Sequence, residues 1–598
     1  MTGLFTAISG LKAAQTNLYV TGHNVANHSV RGYTRQMLHQ AHSVHRTIGQ
    51  SPSGALQIGL GTTMTGIRQI RNHWFDVEFR AAVPRMSYWE TRAATHMELD
   101  AIFGELQGHY RLHLALEQFN RALNELNNDP ASRDTRANFI SQAVTFIDRA
   151  NAAARSLEEY QLQLNDDVIS TVQRINQILT DVADLNGRIL EARNMGLNPN
   201  DFLDWRNNLL DELSSLLDIT INEEINGSVS ILVTQGGHEL LNSAGMINRL
   251  GLRQAAPMSP LVEPVFSQEE RQLEFGEPAR PLFNWHRLGN NYTEHNGAER
   301  GHLLSLITSR GMGPANYRTL EIPETQADVI ARFNTAAAGA TQAERDIFID
   351  FLNQHPDTRF RADIPAVAGM SEAELRTFVH DFDLVSRRTF DMNVAIIPQV
   401  KAQFDTLINH IVTMFNTALT EGMSGSTLGP PQNQQGQSHV DGGVPDLRLF
   451  QQIRPNDGYT LGNLRVNPDF IAGGGPSLLP LTFEGESDNR LTLYLMTAWN
   501  RPDISFGNWS NMGINTFYRQ FITLMATGGD EAFTSVRATA EEIDFIDSRR
   551  MSVSAVSMEE EMSNMIRFQH AYNSSSRMIN TMDSMLDRII NGIGAGRG

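Results

Sequence analysis

Three histidines spaced three residues apart are the first candidates for chemistry in this sequence. His39, His42 and His45 could present two imidazoles to one metal ion if they lay on a helix. The surrounding residues instead predict a strand or a loop, and no aspartate or glutamate occurs before Asp76 to complete a site. We therefore interpret the three histidines as solvated structural residues and predict that the protein binds no metal.

Other patterns that could support catalysis or cofactor binding are incomplete. Gly54 and Gly59-Leu60-Gly61 lack the strand–turn–helix context and the following acidic residue of a nucleotide fingerprint, so they predict turns. The sequence contains neither a His-Glu-x-x-His motif nor a Gly-x-Ser-x-Gly nucleophile elbow. Cysteine is absent, which excludes disulfides, thiolate metal sites and a catalytic cysteine. We predict that the protein is not an enzyme and binds no cofactor.

The elements that could position functional residues are helical, because both ends of the chain carry an apolar residue at every seventh position. Near the start these are Leu4, Leu11, Leu18 and Val25, with Ile8 between them; near the end they are Met551, Met558, Met565, Tyr572, Ile579, Leu586 and Ile593, helped by Met562 and Ile590. A sustained heptad predicts a helix whose apolar stripe needs a partner helix. We expect the two terminal helices to pair with each other.

The charge of the chain is negative overall but unevenly distributed. The 598 residues carry a formal net charge of −19, which argues against nucleic acid as a partner because its phosphates would be repelled. The segment before Asp76 is different, since its charged residues are all basic: Lys12, Arg31, Arg35, Arg46, Arg68 and Arg71. Two hypotheses remain open: a solvated basic region, or a basic arm that contacts acidic neighbours in an assembly.

The sequence does not predict membrane insertion or a cleaved leader. It has no run of about 18 apolar residues, so no membrane-spanning helix is expected. The N-terminal segment MTGLFTAISGLKAAQ has neither a basic n-region nor a contiguous apolar core. If the protein is exported, we expect it to leave the cell by a route that does not use a cleaved signal peptide.

Periodicity along the chain predicts a mainly α fold with β insertions. The first helix is expected to end near Asn24, the longest helix to cover Asn138 to Asn194, and the last helix to run from Asp530 to Asn591. Alternating apolar residues on both sides of Asn226-Gly227 predict a β-hairpin. An inserted module with short helices, one of them near residues 343–352, is expected at about residues 311–389.

A chain of this length is too long for one hydrophobic core, and four regions are expected. Paired coiled-coil helices in residues 1–72 and 550–598 would form a terminal assembly domain. Residues 73–250, 391–421 and 500–549 would form a long helical core domain with the β-hairpin. Residues 251–390 would form an outer region that contains the helical insert, and residues 422–499 an outer mixed or β domain.

Two segments resemble bacterial flagellar axial proteins. Residues 26–36, with the sequence ANHSVRGYTRQ, are similar to the signature that follows the first helix of that family, and the ending GYTRQ is similar to its hook-associated members. Residues 554–579 resemble the matching C-terminal segment, with motif positions at Glu559, Glu560, Asn564, Phe568, Gln569, Tyr572 and Arg577. The sequence departs from the family at Trp205, at Asn207 and in the insert at residues 311–390.

The resemblance implies a structural protein of the bacterial flagellum. The expected function is a ring that connects the hook to the filament and permits filament assembly. Its expected partners are further copies of itself, the hook protein on one side, a second hook-associated junction protein on the other, and an export chaperone at the C-terminal helix. The alternatives are a hook or distal-rod subunit, or an adhesin or enzyme activity carried by the insert.

The residues that we expect at the assembly interface come from the two terminal segments. They are Leu4, Ile8, Leu11, Leu18, Val25, Asn27, Gly32, Tyr33, Arg35 and Gln36 from the start, and Met558, Glu559, Glu560, Met562, Met565, Phe568, Gln569, Tyr572, Ile579, Leu586 and Ile590 from the end. The acidic residues from Glu559 to Glu561 either form a solvated face or pair with the basic first segment. Both terminal helices are expected to become ordered on assembly, because an isolated pair is marginally stable.

Overall fold

A computed structural model of the chain describes residues 2–594, apart from residues 31, 52–53, 105–111, 235–236, 258, 269–270, 276, 278, 284, 286–287, 289–299, 314–383, 425–429, 439–445, 456–457, 473–474, 486 and 506–508. The helix predicted near residues 343–352, and most of the predicted insert, lie outside the described residues. The chain divides into two compact units: residues 1–84, 177–247 and 539–598 form the first, and residues 85–176 and 248–538 form the second.

The first unit begins with helix α1 (Thr2–Ala26), which packs on a pair of antiparallel strands. These are β1 (Gln36–His42) and β4 (Thr62–Gln69), and their pairing shifts register between His39 and Gln40. Between them, β2 (His45–Ser51) and β3 (Gly54–Gly59) form a second antiparallel pair. The strand interpretation of the histidine segment is confirmed, since His39 and His42 lie on β1 and His45 begins β2.

Helices α2 (His73–Phe103), α4 (Arg133–Asn194) and α10 (Ile514–Ser554) contribute residues to both units. The first unit also contains α5 (Asn200–Leu216), the C-terminal helix α11 (Met558–Gly594) and a three-stranded sheet of β5 (Ile219–Glu223), β6 (Val229–Val233) and β7 (Glu239–Leu241). The predicted hairpin is confirmed: β5 and β6 are antiparallel, and Gly227 lies in the turn with φ of +87°.

Helices and small sheets build the second unit. Its helices include α3 (Leu112–Asn128), α6 (His302–Arg310), α7 (Ile396–Glu421), α8 (Pro468–Ile471) and α9 (Arg490–Asn500). A cluster of aromatic rings forms the core between several of them: Phe119, Phe139, Phe146, Phe415 and Trp499. Strands β8 (Leu250–Gln254), β9 (Val262–Phe266) and β10 (Arg280–Pro281) form one antiparallel sheet, and β11 (Phe450–Gln452) pairs with β12 (Leu464–Val466).

The mainly α fold with β insertions is confirmed, but the predicted last helix is wrong in two respects. The helical segment begins at Ile514, not at Asp530, and it passes through Gly528 and Gly529. It is also interrupted, because α10 ends at Ser554 and α11 begins at Met558. No described helix combines the length and apolarity that are needed to span a bilayer.

Candidate assembly interface

The two terminal helices pair as predicted. Helices α1 and α11 run antiparallel: a Cβ on Gly3 would meet the Met582 side chain, and one on Gly10 would lie 3.2 Å from Ser575 Oγ. The Asn24 amide also donates a hydrogen bond to Glu561. Asn24 lies fourteen residues after Gly10 on α1, and Glu561 lies fourteen residues before Ser575 on α11. Steps of seven residues on one helix therefore match steps of seven on the other, which is the pattern of a regular coiled coil.

The stripe of α1 that faces α11 is not the predicted one. The facing and buried residues are small or polar, namely Gly3, Ala7, Gly10, Ala14, Asn17, Thr21 and Asn24. The leucines at positions 4, 11 and 18, with Ile8 and Val25, lie one residue further along and remain partly exposed. One residue is about 100° around a helix, so α1 carries two adjacent heptad stripes. Small residues allow the two backbones to approach closely, and the large apolar side chains stay beside the contact.

Helix α11 likewise leaves large apolar side chains exposed. Met565, Phe568 and Ile579 are half-buried, whereas Met558, Met562, Gln569, Tyr572, Leu586 and Ile590 are exposed. If the same register continues, Thr2 lies opposite Asp583, so α11 extends beyond α1 by the segment that starts at Ser584. Met585 and Ile590 in this extension are 58% and 65% exposed. An apolar stripe of this kind is typical of a surface that is covered in an assembly.

The segment that follows α1 is folded back by a hydrogen-bond cluster around Asn24. The Asn24 carboxamide oxygen accepts from the Tyr33 hydroxyl at 2.8 Å and from the Gln36 backbone N–H at 3.0 Å. Its Nδ2 donates to the Gln36 carbonyl at 2.9 Å and to Glu561 Oε2 at 3.2 Å. His23 Nδ1 also lies 2.9 Å from the Tyr33 hydroxyl. Asn24, predicted only to mark the end of the first helix, therefore satisfies polar groups of Tyr33 and Gln36 in the GYTRQ motif.

Arg35 contacts both sides of the interruption between α10 and α11. Its backbone N–H donates to the carbonyl of Ser554, the last residue of α10, at 2.9 Å. Its guanidinium pairs with Glu560 at 2.7 Å and with Glu561 at 2.8 Å, both in the first turn of α11. Glu561 is only 2% exposed. Of the two hypotheses for the acidic run, the structure supports pairing with the basic segment for these two residues, while Glu559 is exposed.

The same motif is joined to helix α5. The Thr34 backbone N–H donates to Asp204 Oδ2 at 3.2 Å, and the Asn200 amide donates to Gln36 Oε1 at 3.2 Å. Gly32 has a φ of +79° and lies against the side chain of Asn208, so a side chain at position 32 would be strained and obstructed. Gly32 and Gln36 therefore hold the segment that follows α1 against helix α5. Asn27 has a local role, since its amide donates to the His23 carbonyl at 2.9 Å.

Burial and neighbouring carboxylates shift two pKa values in this cluster. Burial raises the pKa of Asp204 to about 6, against the opposing hydrogen bonds from Thr34 and the charge of Arg71. Burial also raises the pKa of Tyr33 well above its ordinary value, and the charges of Asp204, Asp201 and Glu561 add to the shift. The Tyr33 hydroxyl therefore stays protonated at physiological pH and acts as a hydrogen-bond donor.

A chain of alternating charges joins three separate parts of the sequence in the first unit. Arg71 pairs with Asp76 at 2.5 Å, and Asp76 also accepts from Arg550 at 3.1 Å. Arg550 reaches Asp211 at 2.5 Å, and Asp211 pairs with Arg80 at 2.6 Å. All five side chains are largely buried, so each charge depends on its neighbours for compensation. Arg71, counted with the basic segment, is thus neutralised within its own chain.

The side chains of this region form hydrogen bonds, ion pairs and helix contacts. Within the described part of the chain, no three acidic or histidine side chains converge in the way that metal ligands do. Asn24, Asp204 and Asn200 are central to the cluster but were not predicted as site residues, whereas Glu561 entered only through the open hypothesis for the acidic run. A signal for the start of α11 was present in the sequence, because Ser557 and Glu560 match the S-x-x-E capping box. The Glu560 backbone N–H lies 3.4 Å from Ser557 Oγ.

Comparisons with known proteins agree with this architecture. Residues 97–340 match the family model of the flagellar hook-associated protein FlgK helical domain, and residues 548–592 match that of the flagellar basal body rod FlgEFG protein C-terminal. Flagellar hook-associated protein 1 of Bacillus subtilis is 23% identical over 99% of this chain and 98% of its own length. Flagellar hook-associated protein 1 of Salmonella typhimurium is 22% identical over 98% of each.

A solved structure is also similar in part. The flagellar hook junction protein FlgK from Burkholderia pseudomallei aligns with 44% of this chain and 44% of its own, with a TM-score of 0.32 and 19% sequence identity. The full-length relatives and the two family models, one at the helical domain and one at the C-terminal helix, agree with the resemblance carried by the terminal motifs. Over nearly its whole length, the chain is therefore similar to flagellar hook-associated protein 1.

Proposed function

We propose that this protein is a structural junction protein of the bacterial flagellum, which forms a ring that connects the hook to the filament. The observation that carries the proposal is the double stripe of α1: a small-residue stripe is used within the chain, and a large apolar stripe remains for a neighbour. The names of the relatives, which are hook-associated proteins, support the same position in the flagellum.

In this proposal the terminal regions, residues 1–72 and 550–598, form the assembly domain. The helical core domain and the two outer regions lie outside the assembly domain. The large apolar side chains of α1 and α11 are buried by neighbouring copies in the ring. The hook protein lies on one side and a second hook-associated junction protein on the other. An export chaperone covers the exposed apolar face of α11 before assembly, and the protein is exported to the flagellum outside the cell. The role is structural, not enzymatic.

The test is electron microscopy of cells that lack this gene, together with an assay for flagellin in the culture medium. Bare hooks and flagellin in the medium are expected, and plasmid-borne wild type should restore attached filaments. Missing hooks would assign the protein to the rod or hook instead. Normal motile filaments would overturn the proposal and direct attention to the insert at residues 311–390, where an adhesin or enzyme activity would be sought.

A matched pair of variants links the phenotype to the apolar stripe. Leu11 and Leu18 lie on the partly exposed stripe of α1, whereas Lys12 is exposed about 100° around the helix from Leu11. The double variant Leu11→Asp/Leu18→Asp should behave like the deletion, because charged residues cannot be buried in a ring contact without compensation. Lys12→Asp places an acidic residue on the same helix outside the stripe and should leave filaments attached. Equal behaviour of the two variants would argue against the stripe as the contact.

A further inference from the structure

The hairpin of β2 and β3 is a two-stranded ribbon that makes no extensive contact with another helix or strand in the described part of the chain. Its strands pack on each other, and no other helix or strand of the described chain offers a comparable packing surface. Val44 and Ile58 at its base are 75% and 41% exposed. An isolated two-stranded hairpin is marginally stable in water, so a ribbon of this kind is normally stabilised by a partner.

The ribbon and its surroundings are basic. Arg46 on β2 and Arg68 on β4 are exposed, and neither has an acidic partner among the described residues. The segment before Asp76 contains no carboxylate side chain that could neutralise them locally. Arg35 and Arg71 from the same segment are paired within the chain, whereas Arg46 on the hairpin, Arg68 on β4 and Lys12 on α1 are exposed and can face a partner.

The complementary surface lies on α10 of the same unit. Four acidic residues occur within seven positions, Glu541, Glu542, Asp544 and Asp547, and the first three are exposed. Phe545 lies among them and is 60% exposed, with the guanidinium of Arg549 at 4.6 Å from its ring centroid. The surface therefore combines a majority of negative charges with an aromatic side chain, as the hairpin combines positive charge with Val44 and Ile58.

We propose that the β2–β3 hairpin of one copy docks on the acidic face of α10, residues 541–547, in the next copy of the chain. This inference rests on the proposed ring and names the contact that sets the direction of assembly around it. A contact between two different surfaces of identical copies is head-to-tail, and it closes into a ring when the rotation between copies allows it. Charge complementarity then fixes the register and selects the correct neighbour.

The absence of cysteine makes a direct test possible. Thr47 on β2 and Asp544 on α10 are both exposed. The variant Thr47→Cys/Asp544→Cys is expressed in cells that lack the wild-type gene, flagella are isolated, and a bismaleimide with a flexible spacer is added. A ladder of covalent dimers and higher oligomers is expected. The control Thr47→Cys/Asp148→Cys, which places the second cysteine at an exposed acidic position of the second unit, should give monomers.

A charge exchange tests the same contact without cross-linking. Arg46→Glu should lower the fraction of cells with attached filaments about tenfold, because like charges that face each other across an interface are disfavoured. Arg46→Glu combined with Asp544→Arg should restore attachment. The control Arg121→Glu reverses an exposed arginine on α3 and should have no effect.

Attached filaments without a ladder in the Thr47/Asp544 variant would overturn the docking proposal, and so would a normal phenotype for Arg46→Glu. Failure of the junction proposal looks different: deletion of the gene would then leave filaments attached even without any complementing copy. The two failures are therefore separable in one set of strains.

Discussion

The backbone and the side chain of Arg35 act on different helices. The N–H group holds the last carbonyl of α10, and the guanidinium holds two carboxylates in the first turn of α11. One residue thereby spans an interruption of three residues, Ala555 to Ser557. Carboxylates in the first turn also interact favourably with the positive end of the helix dipole. The direction in which α11 leaves α10 is consequently fixed by a residue that is distant in sequence.

Neutralising Glu561 should loosen this junction. Glu561→Gln removes a charge that compensates Arg35 and should reduce the local stability of the α1–α11 pair by about 1–3 kcal/mol, the usual cost for a hydrogen bond to a charged group. Hydrogen exchange measured by mass spectrometry on peptides from residues 558–572 in isolated flagella, where the terminal helices are expected to be ordered, would show the change. Glu559→Gln is the control, because Glu559 is exposed. Equal exchange in both variants would contradict the role of the buried pair.

Asp204 should make the first unit less stable at neutral pH than at mildly acidic pH. Its pKa is raised to about 6 by burial, so the folded state favours the protonated form. The resulting stabilisation is present below the ordinary aspartate pKa of about 4 and is lost as the pH rises through about 6. Asp204→Asn keeps an acceptor for Thr34 and should raise stability at pH 7.5 by about 1–3 kcal/mol, with little effect at pH 4.5.

Thermal unfolding at the two pH values, with the exposed Asp544→Asn variant of the same unit as control, would check this expectation. An identical gain for Asp204→Asn at both pH values would mean that the ionised carboxylate is not the cause.

At the scale of the element, the two stripes of α1 should respond to mutation in different ways. Ala14→Leu places bulk in the contact with α11, where Ala14 is 4% exposed, and should destabilise the pair by about 1–3 kcal/mol through overpacking. Leu11→Ala removes a partly exposed side chain and should leave the monomer nearly unchanged but weaken assembly. Limited proteolysis of the monomer and filament attachment in cells separate the two effects. A destabilised monomer for Leu11→Ala, with an unchanged monomer for Ala14→Leu, would mean that the leucine stripe contacts α11 instead.

The glycine pair in α10 gives a second prediction at this scale. A Cβ on Gly528 would lie 2.6 Å from Cε1 of His96, whereas one on Gly529 would lie 3.5 Å from His96 Cβ, an ordinary contact. Gly529→Ala should stabilise the helix by up to about 1 kcal/mol, because alanine is the better helix former. Gly528→Ala should lower the melting temperature instead, and His96→Ala should relieve that loss. A stabilising Gly528→Ala would contradict the packing of α10 on His96.

The helices were predictable where local pattern and tertiary packing agree. The length of α4 and the Asn226-Gly227 hairpin follow from periodicity and turn chemistry, and both were predicted. The start of α10 was not predicted correctly. Two consecutive glycines indicate a helix end unless a partner such as His96 occupies the space that they leave. The stripe of α1 that faces α11 was predicted one residue too far along for a related reason. The prediction followed the large hydrophobic side chains, whereas the close contact between the two helices is made by small side chains.

At the scale of the whole molecule, both terminal helices should exchange rapidly in a dilute monomer and become protected in the assembled flagellum. The contact between them buries glycine, alanine and polar side chains, which removes little apolar area from water. A larger apolar area is removed from water only when neighbouring copies cover the leucines of α1 and the methionines of α11. Hydrogen exchange of the secreted monomer and of isolated flagella would measure both states. Protected termini in the monomer would contradict this expectation.

The pairing of Asn24 with Glu561 joins residues 537 positions apart in the chain. Contacts of such long range form late, since a very large loop must close before they contribute. Helix α1 is synthesised first and its partner last, so at about 5–20 residues per second α1 waits roughly 30–110 seconds for α11 to exist. Throughout that interval α1 can pack on β1 and β4, but its contact with α11 cannot form. The order of synthesis alone therefore leaves the α11-facing stripe of α1 uncovered until α11 has been made.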